Sequence, residues 1–204
     1  MTTRDRIIES TQQLLWERGY VAVSPKDIQE RAGAGQGSMY HHFEGKADLA
    51  AVAIERSAAA FREGAEQRLA EPGTSLERIR GYLLRSRDAL KGCQIGRLCQ
   101  DPQIVSASQL RQPLATTFEW LHLRLKGIIE EGQRNGEIRR EIDADDVAAV
   151  LIAAIQGGYV LASAARSSTP FDRSIRGALS FLELARVSQA RRRRKRTQKR
   201  RTAS

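Results

Sequence analysis

Apolar residues recur along this chain at the three- and four-residue spacing of an amphipathic helix, and no stretch alternates convincingly as a strand would. Ile7, Ile8, Thr11, Leu14 and Leu15 share one face and Gly19 follows as a stop, which predicts a first helix from about Thr3 to Arg18. Ser24-Pro25-Lys26-Asp27 is a helix start, with a Ser cap, Pro at the first helical position and a carboxylate in the first turn. That second helix runs to about Ala32. Gly33-Ala34-Gly35 then turns the chain into a short third helix from about Gln36 to His42.

An alanine-rich helix follows from Lys46 to about Ala70, ended by Glu71-Pro72-Gly73-Thr74. Thr74 or Ser75 caps the next, to about Leu90, with Leu76, Ile79, Leu83 and Leu90 inward. Beyond Gly92-Cys93 the pattern gives a short helix from Gly96 to Val105. A long one from Ser108 to Arg134 follows, with Leu114, Phe118, Leu121, Leu125, Ile128 and Ile129 as its stripe. Asp143-Ala144-Asp145-Asp146 puts carboxylates on the first turn of a helix that continues from Val147 to Ala165, apolar nearly all round. Pro170 opens the last helix, to about Val187. The expected fold is all-α, with about nine helices.

Composition narrows the class. With 41% apolar and 28% charged residues over 204 positions, the chain is neither collagen-like, nor wholly disordered, nor membrane-embedded. No run approaches the roughly 18 unbroken apolar residues of a membrane span, and the N-terminus lacks the apolar centre of a signal peptide, so a cytoplasmic protein without a membrane partner is expected. Cys93 and Cys99 are too few for a disulfide framework, and their spacing fits no zinc pattern. Neither a metal nor a cofactor is expected, and no Ser-His-Asp or Cys-His arrangement suggests an enzyme. The net charge is +10, but nine of those charges lie between Arg191 and Arg201 with no acid among them, leaving +1 for residues 1–190. The basicity is mostly a tail.

Two helices joined by a tight Gly-containing turn form a helix-turn-helix, whose second helix enters the DNA major groove. At about 100° per residue, Met39 and Phe43 fall on one side of the third helix and Gly37, Tyr40 and His41 on the other, the side free to meet DNA. His41 and His42 point about 100° apart and do not share one ion readily.

The segment Ser24-Pro25-Lys26-Asp27-Ile28 through Ala32-Gly33, then Gln36-Gly37-Ser38-Met39-Tyr40-His41-His42-Phe43 and Lys46, resembles the DNA-binding domain of TetR-family repressors. The resemblance covers roughly residues 4–50. It implies a homodimer on double-stranded operator DNA, with Lys26, Gln36, Gly37 and Tyr40 near base edges and Ser38, His42 and Lys46 holding phosphates. Two features depart from the family pattern. Ala34-Gly35 stands where an aliphatic residue and a capping Ser are usual, and residues 1–48 hold six Lys or Arg against seven acids.

The same resemblance implies domains at 1–47 (helix-turn-helix) and 48–188 (effector binding and dimerisation), with 189–204 as a basic tail. Helices between residues 46 and 135 would enclose a small-molecule effector, with Cys93, Phe118, Leu121, His122 and Leu125 as lining candidates. The last two helices would form a four-helix dimer interface, with Leu151, Ile152, Ile155, Tyr159, Leu179, Leu182 and Leu184 as candidates. Three questions stay open. Cys93, in a Gly-Cys-x-x-Gly segment that recurs in one branch of the family, is either a thiol sensor or a small packing residue. The tail is a phosphate clamp, a dock for another polyanion or a solvated extension. The whole is either an effector-released repressor or an architectural DNA-binding protein without an effector.

Overall fold

A computed structural model of the chain describes residues 1–187, and among them nine α-helices and one 3-10 turn carry the fold. Helix α1 (Thr3–Arg18) opens on a capping box in which Thr2 Oγ1 accepts the Asp5 N–H at 3.1 Å and Asp5 Oδ2 accepts the Thr2 N–H at 3.3 Å. Helix α2 (Pro25–Ala32) repeats the device with Ser24 and Asp27, and closes at Gly33 in the left-handed conformation, φ 57°. Only a residue without Cβ takes that turn at no cost. Helix α3 (Gln36–His42) starts from Gly35 without a side-chain cap, as the sequence implies. Seven residues do not hold a helix by themselves. Met39 and Phe43, 0% and 3% exposed, supply what propensity lacks, at about 1.5–3 kcal/mol of burial each.

Helix α4 (Lys46–Leu69) leads to α5 (Ser75–Leu84), which ends six residues before the periodicity predicts. The guanidinium of Arg87 turns back on it: Nη1 donates to the Leu83 and Arg85 carbonyls at 2.7 and 3.0 Å, and Nη2 to the Tyr82 carbonyl at 2.7 Å. Carbonyls that a longer helix would have satisfied are satisfied by a side chain. Leu90, expected inward, is therefore exposed. The predicted helix from Gly96 to Val105 is likewise two pieces, a 3-10 turn (Gly96–Gln100) and α6 (Pro102–Ser106). Pro102 brings no N–H to a continuing ladder, and Asp101 caps the new helix instead.

Helices α7 (Ser108–Arg134), α8 (Ala144–Ala165) and α9 (Thr169–Leu184) complete the chain. Gly158 lets α9 approach α8 closely: a Cβ there would stand 3.0 Å from Phe171 Cδ2 and 3.2 Å from Ser174 Cβ. The main chain of Glu137 and Arg139 pairs with Val187 and Ala185 at 2.8 and 2.9 Å, tying the end of α9 to the α7–α8 connection.

The buried side chains form two cores, and they do not divide at residue 47. The first joins α1, α2 and α3 to Leu49, Ala53, Ile54 and Ala58 of α4 and to Cys93, Ile95, Leu98, Ile104, Leu110 and Leu114. The second takes Ala65 and Leu69 from the other end of α4 and packs them with α5, α7, α8 and α9. Helix α4 therefore runs through both. The basic tail lies outside the described residues.

Candidate nucleic-acid interface

On α3 the helical wheel becomes a surface. Gln36, Gly37, Tyr40, His41 and His42 are exposed and Ser38 is half-buried, while Met39 and Phe43 point into the first core. Tyr40 is 49% exposed, a large fraction for an aromatic side chain with no task on the surface. The rings of His41 and His42 meet edge-on, centroids 5.0 Å apart. Lys26 on α2 is exposed too, with Glu30 one helical turn away at 3.8 Å. A neutral amide, a phenol, two imidazoles and a bare backbone at Gly37 can donate and accept at base edges without strong attraction to phosphate.

Most cations of this region are already engaged. Arg18 pairs with Asp27 at 3.2 Å and Arg31 with Glu17 at 2.7 Å, both between α1 and α2. Arg4 lies over the Phe43 ring at 5.4 Å. Lys46, expected on a phosphate, is turned inward: its Nζ donates to the Tyr20 carbonyl at 2.7 Å and sits 4.1 Å from the centre of the Tyr20 ring. Burial pushes the Lys46 ammonium down, and the charges of Asp101 and Asp27 partly oppose this. Its placement makes it a fastener between α4 and the α1–α2 turn.

Three further contacts hold the reading helices to the rest of the chain, and the periodicity shows none of them. Asp101 Oδ2 accepts the N–H groups of Tyr20 and Val21 at 2.8 and 3.1 Å, while its Oδ1 accepts those of Gln103 and Ile104 at 3.1 and 3.4 Å. The indole N–H of Trp16 donates to the Gly92 carbonyl at 3.1 Å, and Lys91 lies 3.9 Å from the Trp16 ring. Ser57 Oγ receives both Gln12 and Gln94, at 2.9 and 3.0 Å. The Asp101-Pro102 pair is legible as an N-cap followed by proline at the first helical position; the residues it clamps, 80 positions earlier, are not.

Residues 7–53 match the profile of bacterial regulatory proteins of the tetR family, and residues 75–178 match the tetracyclin repressor-like C-terminal domain. The chain belongs to the TetR family. The HTH-type transcriptional repressor DhaR of Mycobacterium sp. (strain GP1) is 30% identical over 173 residues, covering 83% of this chain and 86% of that protein. Among solved structures, the reduced form of E. coli NemR aligns over 93% of this chain and 100% of its own, with a TM-score of 0.79 at 22% identity. FadR from Bacillus subtilis in complex with stearoyl-CoA aligns over 87% and 96%, with a TM-score of 0.68 at 20% identity. The chain is thus a DNA-binding transcriptional regulator of this family.

In the TetR-family regulatory half, the five lining candidates sit in different surroundings. Leu121 and Leu125 are buried in the second core, Phe118 is half-buried against the first, and Cys93 is buried within the first. His122 stands apart, its Nε2 3.1 Å from Asp145 Oδ1, and the same carboxylate oxygen receives Lys126 at 2.7 Å. Asp145 opens α8, so His122 lies roughly 20 Å along that helix from Tyr159. Cys93 Sγ accepts the Gly96 N–H at 3.2 Å, which suits the packing role, and burial pushes the neighbouring Cys99 thiol up.

Three of the seven interface candidates are already covered within the chain. Leu151, Ile155 and Leu182 are buried inside their own protomer, at 2%, 3% and 5% exposure, and Ile152, Tyr159 and Leu179 are half-covered there. Of the seven only Leu184 is openly exposed. A helix that is apolar all round has two faces to cover, and periodicity alone does not say which one the chain covers itself. The open face instead carries Val150, Val160 and Leu161 on α8 and Phe181 and Leu184 on α9. This second stripe also makes α8 the one described helix long and apolar enough to cross a membrane, at a mean hydropathy of 1.9.

Proposed function

We propose that this TetR-family regulator is a homodimeric repressor, working in the cytoplasm, whose hold on a palindromic operator is released by a small molecule bound in the helical half. The observation that carries the reading is the division of α3, with Met39 and Phe43 locked in the core and Gln36, Gly37, Tyr40 and His41 presented together to solvent. Gln36, Gly37, Tyr40 and Lys26 are the proposed base readers, and Ser38 and His42 the proposed phosphate contacts. The open apolar stripe of α8 and α9 supports a second copy as its cover, since contiguous exposed patches of this kind mark interaction surfaces. Release follows if the effector prefers a spacing of the two recognition helices that no longer fits successive major-groove half-sites.

Selection of binding sites from a random DNA pool tests the first half of this. The expected result is a palindrome whose half-sites lie roughly 34 Å apart or a multiple of it, protected at physiological salt. Coating of DNA without enriched sequence would instead establish the architectural alternative.

A further inference from the structure

The turn that ends α5 carries two arginines into the seam between the two cores. Arg85 Cζ lies 5.0 Å from the centre of the Tyr82 ring and 5.5 Å from that of Phe61, and Arg87 Cζ lies 5.2 Å from Tyr82. Phe61 and Tyr159 each pack against both cores, and Tyr159 also stacks on Phe171 at 4.7 Å. The arginines differ in what their donors do. Arg87 uses its Nη atoms to cap α5, whereas Arg85 makes no side-chain hydrogen bond or ion pair among the described residues. The Nε atoms of both are buried and without an acceptor.

Neither arginine makes an ion pair among the described residues, and the phenols of Tyr82 and Tyr159 stand near Arg87. Burial, and then the charge of Arg85, push the Arg87 guanidinium down. Burial pushes the Tyr159 phenol up to about 12, so it stays neutral and can donate. Two neighbouring guanidiniums, each with a buried Nε that lacks an acceptor and neither in an ion pair, are unfavourable by themselves and favourable around an anion. A planar N–H fork matches a carboxylate, and the surrounding rings match an apolar body.

We infer that Arg85, supported by Arg87, is the head-group site for an anionic effector, a carboxylate carried on an aromatic or aliphatic body that lies along Phe61, Tyr82 and Tyr159. The inference rests on the proposal that the helical half takes an effector, and it names the class. It also supplies a route to the DNA. The segment from Arg85 to Gly92 ends on the carbonyl held by Trp16 of α1, and Gln94 just beyond shares Ser57 with Gln12 of α1. An anion that draws the arginines together moves the strap to which α1 is fastened.

The test is titration calorimetry on the full chain without DNA, using octanoate and 4-phenylbutyrate against their neutral amides, followed by the same ligands on an operator complex. At least one carboxylate is expected to bind at least tenfold more tightly than its amide. Arg85→Gln should remove that preference, and Arg85→Lys should restore part of it. The Arg85→Gln protein should melt no lower than the parent, since it loses like-charge repulsion. Equal binding of acid and amide, no binding of either acid, or an undiminished preference in Arg85→Gln overturns the anion site. An Arg85→Gln protein that melts lower and keeps its preference assigns Arg85 to packing alone. Binding without operator release leaves the anion site standing and refutes the release proposal instead.

Discussion

Replacing Asp101 tests whether the reading domain is fastened to the regulatory half as the structure describes. One carboxylate accepts four backbone N–H groups, two from the α1–α2 turn and two from the first turn of α6. Gly19 stands beside it at φ 78°, where a Cβ would come within 3.3 Å of Asp101 Oδ2, so the approach depends on glycine. Loss of the α6 cap costs about 1 kcal/mol. The Tyr20 bond, to a part-buried N–H, is charge-assisted and worth about 1.5–3 kcal/mol, and the exposed Val21 bond adds less. Asp101→Ala should therefore destabilise by about 2.5–4 kcal/mol, lowering the melting temperature by about 5–16 °C for a chain of this size. Asp101→Asn keeps one acceptor oxygen and should fall between the two. Differential scanning calorimetry reads the loss, and operator titration with and without effector reads the coupling, which should weaken in Asp101→Ala at unchanged effector affinity. A melting temperature within about 1 °C of the parent, or coupling that survives intact, would refute the clamp.

Tyr40→Ala should weaken operator binding about tenfold or more in fluorescence anisotropy while leaving the melting temperature unchanged; a stability loss without an affinity loss would return Tyr40 to packing. Phe181→Asp with Leu161→Asp puts charge on the open stripe of α8 and α9 and should shift the protein to monomer in sedimentation velocity, whereas an intact dimer would place the interface elsewhere. The capping carboxylates predict an acid limb. Thr74 hydrogen bonds hold Glu77 below its ordinary 4.5, and Thr2 and Ser24 hold Asp5 and Asp27 below 3.8. Each depressed carboxyl contributes stability that is complete above its ordinary value and is lost as pH falls through the depressed one. Urea midpoints should therefore decline from about pH 4.5 downward, and Glu77→Gln should make that decline shallower; an unaltered slope would exclude Glu77 as a contributor.

The sequence by itself determined the elements whose causes are local. The capping residues Thr2, Ser24 and Thr74, the stop at Gly33 and the missing cap at Gly35 act within one helical turn, and α1, α2 and α3 lie where those residues put them. The division of α3 between Met39 and Tyr40 is equally local, because a seven-residue helix has one wheel and the apolar side must go inward. The tertiary structure decided whatever needed a partner distant in the chain. Lys46 turned in to the Tyr20 carbonyl, and Asp101 was claimed by Tyr20 and Val21. Nothing near these residues in sequence announces such partners. The same holds for α8: both of its faces are apolar in sequence, and only packing against α7 and α9 reserved Leu151 and Ile155 for the core and left Val150, Val160 and Leu161 outside.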